Sequence, residues 1–362
     1  MLQGMQPQEL VQTIIEHASG KEDLIAPANG MKFSRNDMGQ IRLDIGDHNL
    51  ALTTTASRQM TGFLGIPSRF AQRLELQFPD LLVQNFNTIL QKAEGRRMTR
   101  TLDGNARAIL SDSYRRIDNE LVFDGMYPVL DRLGAQIVAA NISDDYMRIQ
   151  AVMKMEGEIR KGDVVRYGVT ISNSEVGKGA LGVFPFLDRL VCTNGMILPD
   201  QIKKRAHIGG SYLNDDNGWI ALSSATQKLK TRAMIAELAE YLETMASAEQ
   251  FQKTLGVLRE AGEQKLPADP TMVVESLAAR YALSKTEGES ALIALAESKD
   301  YSRWGLANAV TNIANTAGSY DRGIDLQTLG GKIMNFNQRD YNDLARMPKK
   351  GEVQEEEEVE VG

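Results

Sequence analysis

Three histidines (His17, His48 and His207) and one cysteine (Cys192) are the whole supply of imidazole and thiol in 362 residues. They are scattered, without the close pairings that space a zinc site, so no metal site is expected. A nucleophile and base made of Cys192 and His207 is formally open. Cys192, however, lies in the apolar run LDRLVCT, where a buried structural thiol is the expected state. The acid pairs Asp144-Asp145 and Asp215-Asp216 stand in polar, turn-like stretches and read as solvated; no spacing of acids singles out the ligands of a two-metal nuclease. GKGALG at 177–182 lacks the GK[ST] ending of a phosphate loop and runs into a strand pattern, so a hairpin turn is expected there. No catalytic residue and no cofactor is assigned.

Cations offer more. The stretch 92–119, KAEGRRMTRTLDGNARAILSDSYRRIDN, holds seven basic residues against four acids. Arginine binds phosphate bidentately and stacks on bases, and a tyrosine beside an arginine pair offers a stacking face. On this ground Arg96, Arg97, Arg100, Arg107, Tyr114, Arg115 and Arg116 are candidate nucleic-acid contacts, joined by the triplet Lys203, Lys204 and Arg205. A third set, Lys228, Lys230 and Arg232, completes a positive groove if folding brings it near the first. The alternative is a solvated hairpin face whose arginines pair locally with Glu94, Asp103, Asp112 and Asp118.

A net charge of −7 would seem to oppose a phosphate-rich partner. Yet Glu352, Glu355, Glu356, Glu357, Glu358 and Glu360 crowd the last eleven residues, which leaves the rest of the chain at −1. A nearly neutral body can carry a local positive face.

These residues must be positioned by an α+β architecture: a mainly antiparallel sheet with packed helices, then a helical C-terminal region and a disordered acidic tail. Residues 1–95 read as an N-terminal helical segment packing on the core. It begins with a helix over PQELVQTIIEHA, has a hairpin around Gly39, and continues as helices punctuated by Gly65-Ile66-Pro67 and Pro79. Residues 96–217 read as the α+β core. Its strands are RMTRTL, ARAILS, QIVAANI, YMRIQAVMKM, VVRYGVTISN and GALGVFPFLDRLVC, and they are interrupted by the helix NELVFDGMYPVLDRLG. From Gly218 to 346 the pattern is helical, opening with one long helix or two joined near Ser247. Residues 347–362 form the tail. No run reaches the roughly 18 apolar residues of a membrane span, and the lone cysteine suits a reducing compartment, so the expected location is the cytoplasm.

Three segments carry a resemblance to a known group: RTLDGNARAILSDSYRRIDN at 100–119, ISNSEVGKGALGVFPFLDRLVCTNGMIL at 171–198, and YSRWGLANAVTNIA at 301–314. The middle one is the most specific, with Asn173-Ser174, Gly177, Arg189, Val191-Cys192 and Asn194 on the pattern, and LGIPSRFAQRL at 64–74 also fits. Together they resemble the phage/plasmid-like protein family catalogued as domain of unknown function nine-three-two. The resemblance implies a setting among phage or plasmid replication, recombination and anti-defence genes. It assigns no catalytic residue. A sheet-and-helix body with basic hairpins and no ATP loop is also similar in architecture to phage single-strand annealing proteins, which bind single strands on an oligomeric groove.

The expectation is therefore an ATP-independent protein that binds single-stranded DNA and anneals strands in phage or plasmid replication or recombination. It would act as a homo-oligomer, with phage or host replication proteins as further partners through the acidic tail. A non-enzymatic protein-interaction factor, for anti-defence or scaffolding, is the alternative; a metal-dependent nuclease is the third. If the tail competes with nucleic acid for the basic groove, deleting residues 351–362 should tighten oligonucleotide binding at low salt. A tail-deleted chain that binds no more tightly in a gel shift would remove that role.

Overall fold

The structure is a computed structural model that describes residues 4–191, 194–198, 203–205, 212–215, 218–221 and 224–348; for 203–205, 212–215, 218–221 and 224–225 only the backbone path is described. Cys192, His207 and residues 349–362, which hold all six tail glutamates, lie outside the described residues.

Helix α1 (Pro7–Gly20) opens with Pro7 in its first turn and buries Leu10 and Ile14 on one face. Four strands follow: β1 (Lys21–Pro27), β2 (Lys32–Arg35), β3 (Ile41–Ile45) and β4 (His48–Leu52). The β2–β3 hairpin turns at Gly39, as its sequence predicts, and the Asn36 side chain accepts from the backbone of Met38 and Gln40 to shape it. Helices α2 (Thr54–Phe63), α3 (Ser68–Gln77) and α4 (Pro79–Leu90) break where Gly65-Ile66-Pro67 and Pro79 predict. Then come β5 (Arg96–Leu102) and β6 (Asn105–Ser111), joined by Asp103-Gly104, both at positive φ, the geometry of a two-residue type I′ hairpin turn.

These six strands make one sheet in the order β1-β5-β6-β4-β3-β2, antiparallel except where β4 runs parallel to β6. One face packs under α2, α3 and α4 through Phe33, Leu43, Leu50, Met60, Phe86 and Ile109. The helical segment expected over 1–95 thus also supplies four strands. The boundary expected at residue 95 falls inside this sheet, because β1 pairs with β5 along its whole length.

Helix α5 (Asn119–Arg132) leads to a second sheet of β7 (Gln136–Ile142), β8 (Met147–Arg160), β9 (Asp163–Asn173), β10 (Leu181–Arg189) and β11 (Asn194–Ile197). This is an antiparallel meander, with β12 (Lys203–Arg205) also paired to β10. The strands expected over 97–198 are therefore shared between two sheets rather than joined in one. Asn194-Gly195 opens β11. The Asn194 carboxamide accepts from Asn315 and donates to the Asn308 carbonyl.

A short hairpin of β13 (Tyr212–Asp215) and β14 (Gly218–Ala221) precedes α6 (Ser224–Met245), so the helical pattern read from Gly218 begins six residues later. Helix α7 (Ala248–Glu263) follows, its N-terminus capped by Ser247, the predicted joint. Helices α8 (Pro270–Arg280), α9 (Lys285–Ser298), α10 (Arg303–Ile313), α11 (Tyr320–Asn335) and α12 (Gln338–Asn342) complete the α-helices of the described residues. One face of the second sheet, with Ile149, Tyr167 and Val169, shares a core with α1, α5, α6 and α7; its other face meets α11 through Val152, Phe186 and Ile324.

Helices α5 and α6 meet closely at Gly125, where an added Cβ would lie 2.4 Å from the Ile235 Cγ2 methyl. Gly125→Ala should therefore cost about 1–3 kcal/mol through overpacking. In an Ile235→Ala background the same change should become neutral or stabilising, because alanine favours a helix by about 1 kcal/mol over glycine. Urea unfolding of the four variants measures this coupling, and additive effects would contradict the close crossing.

Candidate nucleic-acid interface

The basic stretch 92–119 divides into inward and outward cations. Arg100 and Met98 alternate onto the face of β5 that looks away from α2, where Met98 joins Ala108, Leu110, Tyr114 and Val176 in a small core. Arg107 occupies a β-bulge: Arg100 pairs with Ala108 and Thr101 with Ala106, which leaves Arg107 without a partner across the ladder. A bulge re-aims its side chain. Here it sends the guanidinium to Glu175, just beyond β9 in the second sheet, at 2.8 Å.

Glu175 is the hub of a buried cluster. One of its oxygens accepts from Lys21 Nζ at 2.6 Å and from the Asn119 backbone N–H at 2.8 Å; the other accepts from Arg107. Lys21 also bonds Glu120 at 2.7 Å. Arg100 donates to Asp23, to Asp118 and to the Glu175 carbonyl, and Arg116 adds a 3.3 Å pair to Asp23. Lys21, Arg100, Arg107 and Arg116 thus balance Asp23, Asp118, Glu120 and Glu175. Asp118 precedes α5 but makes no side-chain cap, being turned to Arg100. Glu175 takes the capping position from another element and places its charge at the positive end of the helix.

Burial alone would raise the Glu175 carboxyl, but Lys21, Arg100 and Arg107 together with the Asn119 N–H hold it down at about 2. It is a permanent anion with both oxygens engaged, so it is suited to fastening two sheets together and unsuited to proton transfer. Arg100 is raised above its ordinary range: burial opposes its charge, but Asp118 and Asp23 outweigh that.

Three expected nucleic-acid contacts are therefore corrected. Arg100 and Arg107 are buried and neutralised internally. Tyr114 is 3% exposed, with its hydroxyl on the Ser174 carbonyl, so it has no ring face to offer a base. For Arg100 the local alternative holds in part, through Asp118, but its other acid Asp23 and the Glu175 that takes Arg107 lie 77 and 68 residues away, beyond a local charge count. Glu175 itself went unassigned, although it stands in the most specific of the three resembling segments.

The remaining candidates form a path. Arg96 is exposed and Arg97 half-buried at the start of β5, and Arg97 lies opposite Ser111, where the loop carrying Arg115 and Arg116 begins. That loop rests on α6: Arg115 reaches the Met234 sulfur at 3.9 Å and Thr231 donates to the Arg116 carbonyl at 3.4 Å. Lys228, Lys230 and Arg232 are exposed on the same half of α6. The backbone of β12, carrying Lys203, Lys204 and Arg205, runs beside both α6 and the start of β10. Folding thus brings the three basic sets to one region. A groove of about 450 Å³ between α5 and α6 borders this region at Arg232 and mixes both signs of charge, with Asp124, Glu240 and Glu243 beside Arg132 and Arg232. Among the described residues no three His, Cys, Asp or Glu side chains could hold a metal ion, and no helix is long and apolar enough to cross a membrane.

Against this geometry, the family described as Domain of unknown function (DUF932) matches residues 107–349, about two-thirds of the chain, and the chain belongs to that family. No curated protein and no solved structure matches it.

Removing the hub carboxylate tests the cluster. Glu175→Gln leaves buried cations uncompensated and should cost about 3–5 kcal/mol at neutral pH. The native carboxyl titrates at about 2 against 4.5 when unperturbed, so the unfolded chain takes up the proton first as pH falls. The stabilisation is complete above about 4.5 and fades as pH drops toward 2. Urea midpoints of wild type and Glu175→Gln should converge across that window; a constant gap would contradict the assignment.

Proposed function

We propose that this member of the DUF932 family binds single-stranded DNA without ATP and serves strand annealing in the replication or recombination of phage or plasmid DNA. The observation that carries this reading is the meeting of three basic sets, distant in sequence, around the N-terminal half of α6. Arg96, Arg97, Arg115, Lys228, Lys230 and Arg232 supply outward or half-exposed cations there, Arg116 joins them at the edge of the cluster while paired to Asp23, and the backbone of Lys203–Arg205 passes alongside. Exposed cations along one path suit a phosphate backbone, whose recognition depends on charge spacing more than on base identity. The buried cluster contributes indirectly: by neutralising Arg100 and Arg107 inside, it anchors the β5–β6 hairpin and the loop that presents Arg115.

A second reading is supported by a different surface. On α3 and α4 and the residue between them, Phe70, Leu76, Phe78 and Leu81 are exposed, Leu76 at 85%. Exposed large apolar side chains concentrated in one short segment fit a protein-interaction factor.

Fluorescence anisotropy with a labelled oligothymidylate separates the two. Wild type should bind at low salt, and the triple change Arg115→Ala, Lys228→Ala, Lys230→Ala should weaken binding at least tenfold. It should also lower the slope of log affinity against log salt by about 2, at roughly 0.7 per single-strand phosphate contact. Absence of binding at low salt, for the whole chain and for a chain lacking residues 351–362, overturns the DNA reading.

A further inference from the structure

Arg97 is treated unlike the other inward-leaning arginines of its hairpin. Its guanidinium carbon lies over the Phe63 ring at the end of α2, 3.8 Å from the centroid, within cation–π distance. Its Nε is shielded from solvent and has no hydrogen-bond partner. Among the described residues no carboxylate lies within ion-pairing distance of it; Asp112 acts on it only at longer range. Thr99, two residues along on the same face of β5, is fully buried, and its hydroxyl is also without a partner. Arg100, Arg107, Arg116, Arg148 and Arg189, by contrast, each hold a carboxylate.

A half-buried guanidinium without a counter-ion works against folding, because desolvation penalises the charge and the Phe63 ring, a weaker partner than a carboxylate, repays only part of it. Burial accordingly pulls its pKa below the usual arginine value, with Asp112 opposing only in part. Preorganisation for an external anion accounts for such an arrangement. Phe63 holds the planar fork in one orientation, which lowers the ordering cost when an oxyanion binds, and a planar fork matches phosphate oxygens bidentately.

We propose that Arg97, held over Phe63, is a phosphate-binding position of this protein, its ligand a phosphate group carried by a nucleic-acid backbone or met as free phosphate. The nucleic-acid source rests on the function proposed above; the phosphate chemistry does not. A position that serves binding at the expense of stability differs in its signature from a structural one.

Two measurements on the whole chain test it. In thermal melts at matched ionic strength, sodium phosphate should raise the Tm of wild type above its value in sodium chloride, and by more than it raises that of Arg97→Gln, which keeps only the general salting-out effect of phosphate. In chloride, Arg97→Gln should melt no lower than wild type, whereas loss of a structural arginine would lower the Tm. With labelled oligothymidylate, Arg97→Gln should bind about tenfold more weakly with a salt slope reduced by about 0.7, and Arg97→Lys should not restore full affinity, because an ammonium lacks the fork. Phe63→Leu should weaken binding while leaving the slope unchanged. An Arg97-dependent phosphate effect without oligonucleotide binding by wild type would keep the subsite, with free phosphate as its ligand, and discard the DNA reading. Phosphate stabilisation and oligonucleotide binding both indifferent to Arg97→Gln, or a lowered Tm of that variant in chloride, would overturn the subsite itself.

Discussion

The Glu175 carboxylate joins two sheets that share no strand. Lys21 reaches it from β1 and Arg107 from the bulge in β6, while Asn119 offers it the first free N–H of α5. Each partner belongs to a different element, so the relative placement of the first sheet, the second sheet and the connecting helix converges on one charged group. A buried ionic cluster contributes little net stability, since desolvation offsets much of its attraction, but it penalises every arrangement that leaves one member unpaired. An apolar contact would allow the sheets to slide, whereas four cations matched to four anions hold one register. The bulge at Arg107 has its reason here, because a regular ladder would give that side chain the facing of its neighbours.

The same neutralisation decides which cations remain outside. Arginines that look equivalent along the β5–β6 hairpin separate into those consumed by distant acids and those left half-exposed on the path to α6. Arg97 is a third kind, shielded but unpaired, held by an aromatic ring instead of a carboxylate. Charge on this surface is therefore set by folding, which decides how far each cation stays open to solvent.

Much of the local architecture was legible beforehand. Pro67, Pro79 and Ser247 mark helix starts because a proline's fixed φ or a serine's side-chain oxygen suits a helix N-terminus whatever lies nearby. The turn at Gly39 and the breaks between helices follow from equally local chemistry. Less legible was the partition of strands. RMTRTL and ARAILS carry the same alternation as the strands of the second sheet, and alternation records a strand without naming its neighbour. Besides each other, they pair with β1 and β4, which lie in a segment whose short strands were overshadowed by helical pattern. The helix read from Gly218 failed for a similar reason: WIALSS suits either period over so few residues.

By itself the sequence determined the α+β class, most helix boundaries, the family, and the sparse supply of histidine and cysteine, because each depends on residue type or on neighbours within a few positions. Only the tertiary structure decided that Arg100, Arg107 and Tyr114 face inward, that Glu175 is the hub, and that Arg97 rests on Phe63 without a counter-ion. Whether a charge is spent or available depends on partners brought from tens of residues away, and no local pattern encodes them.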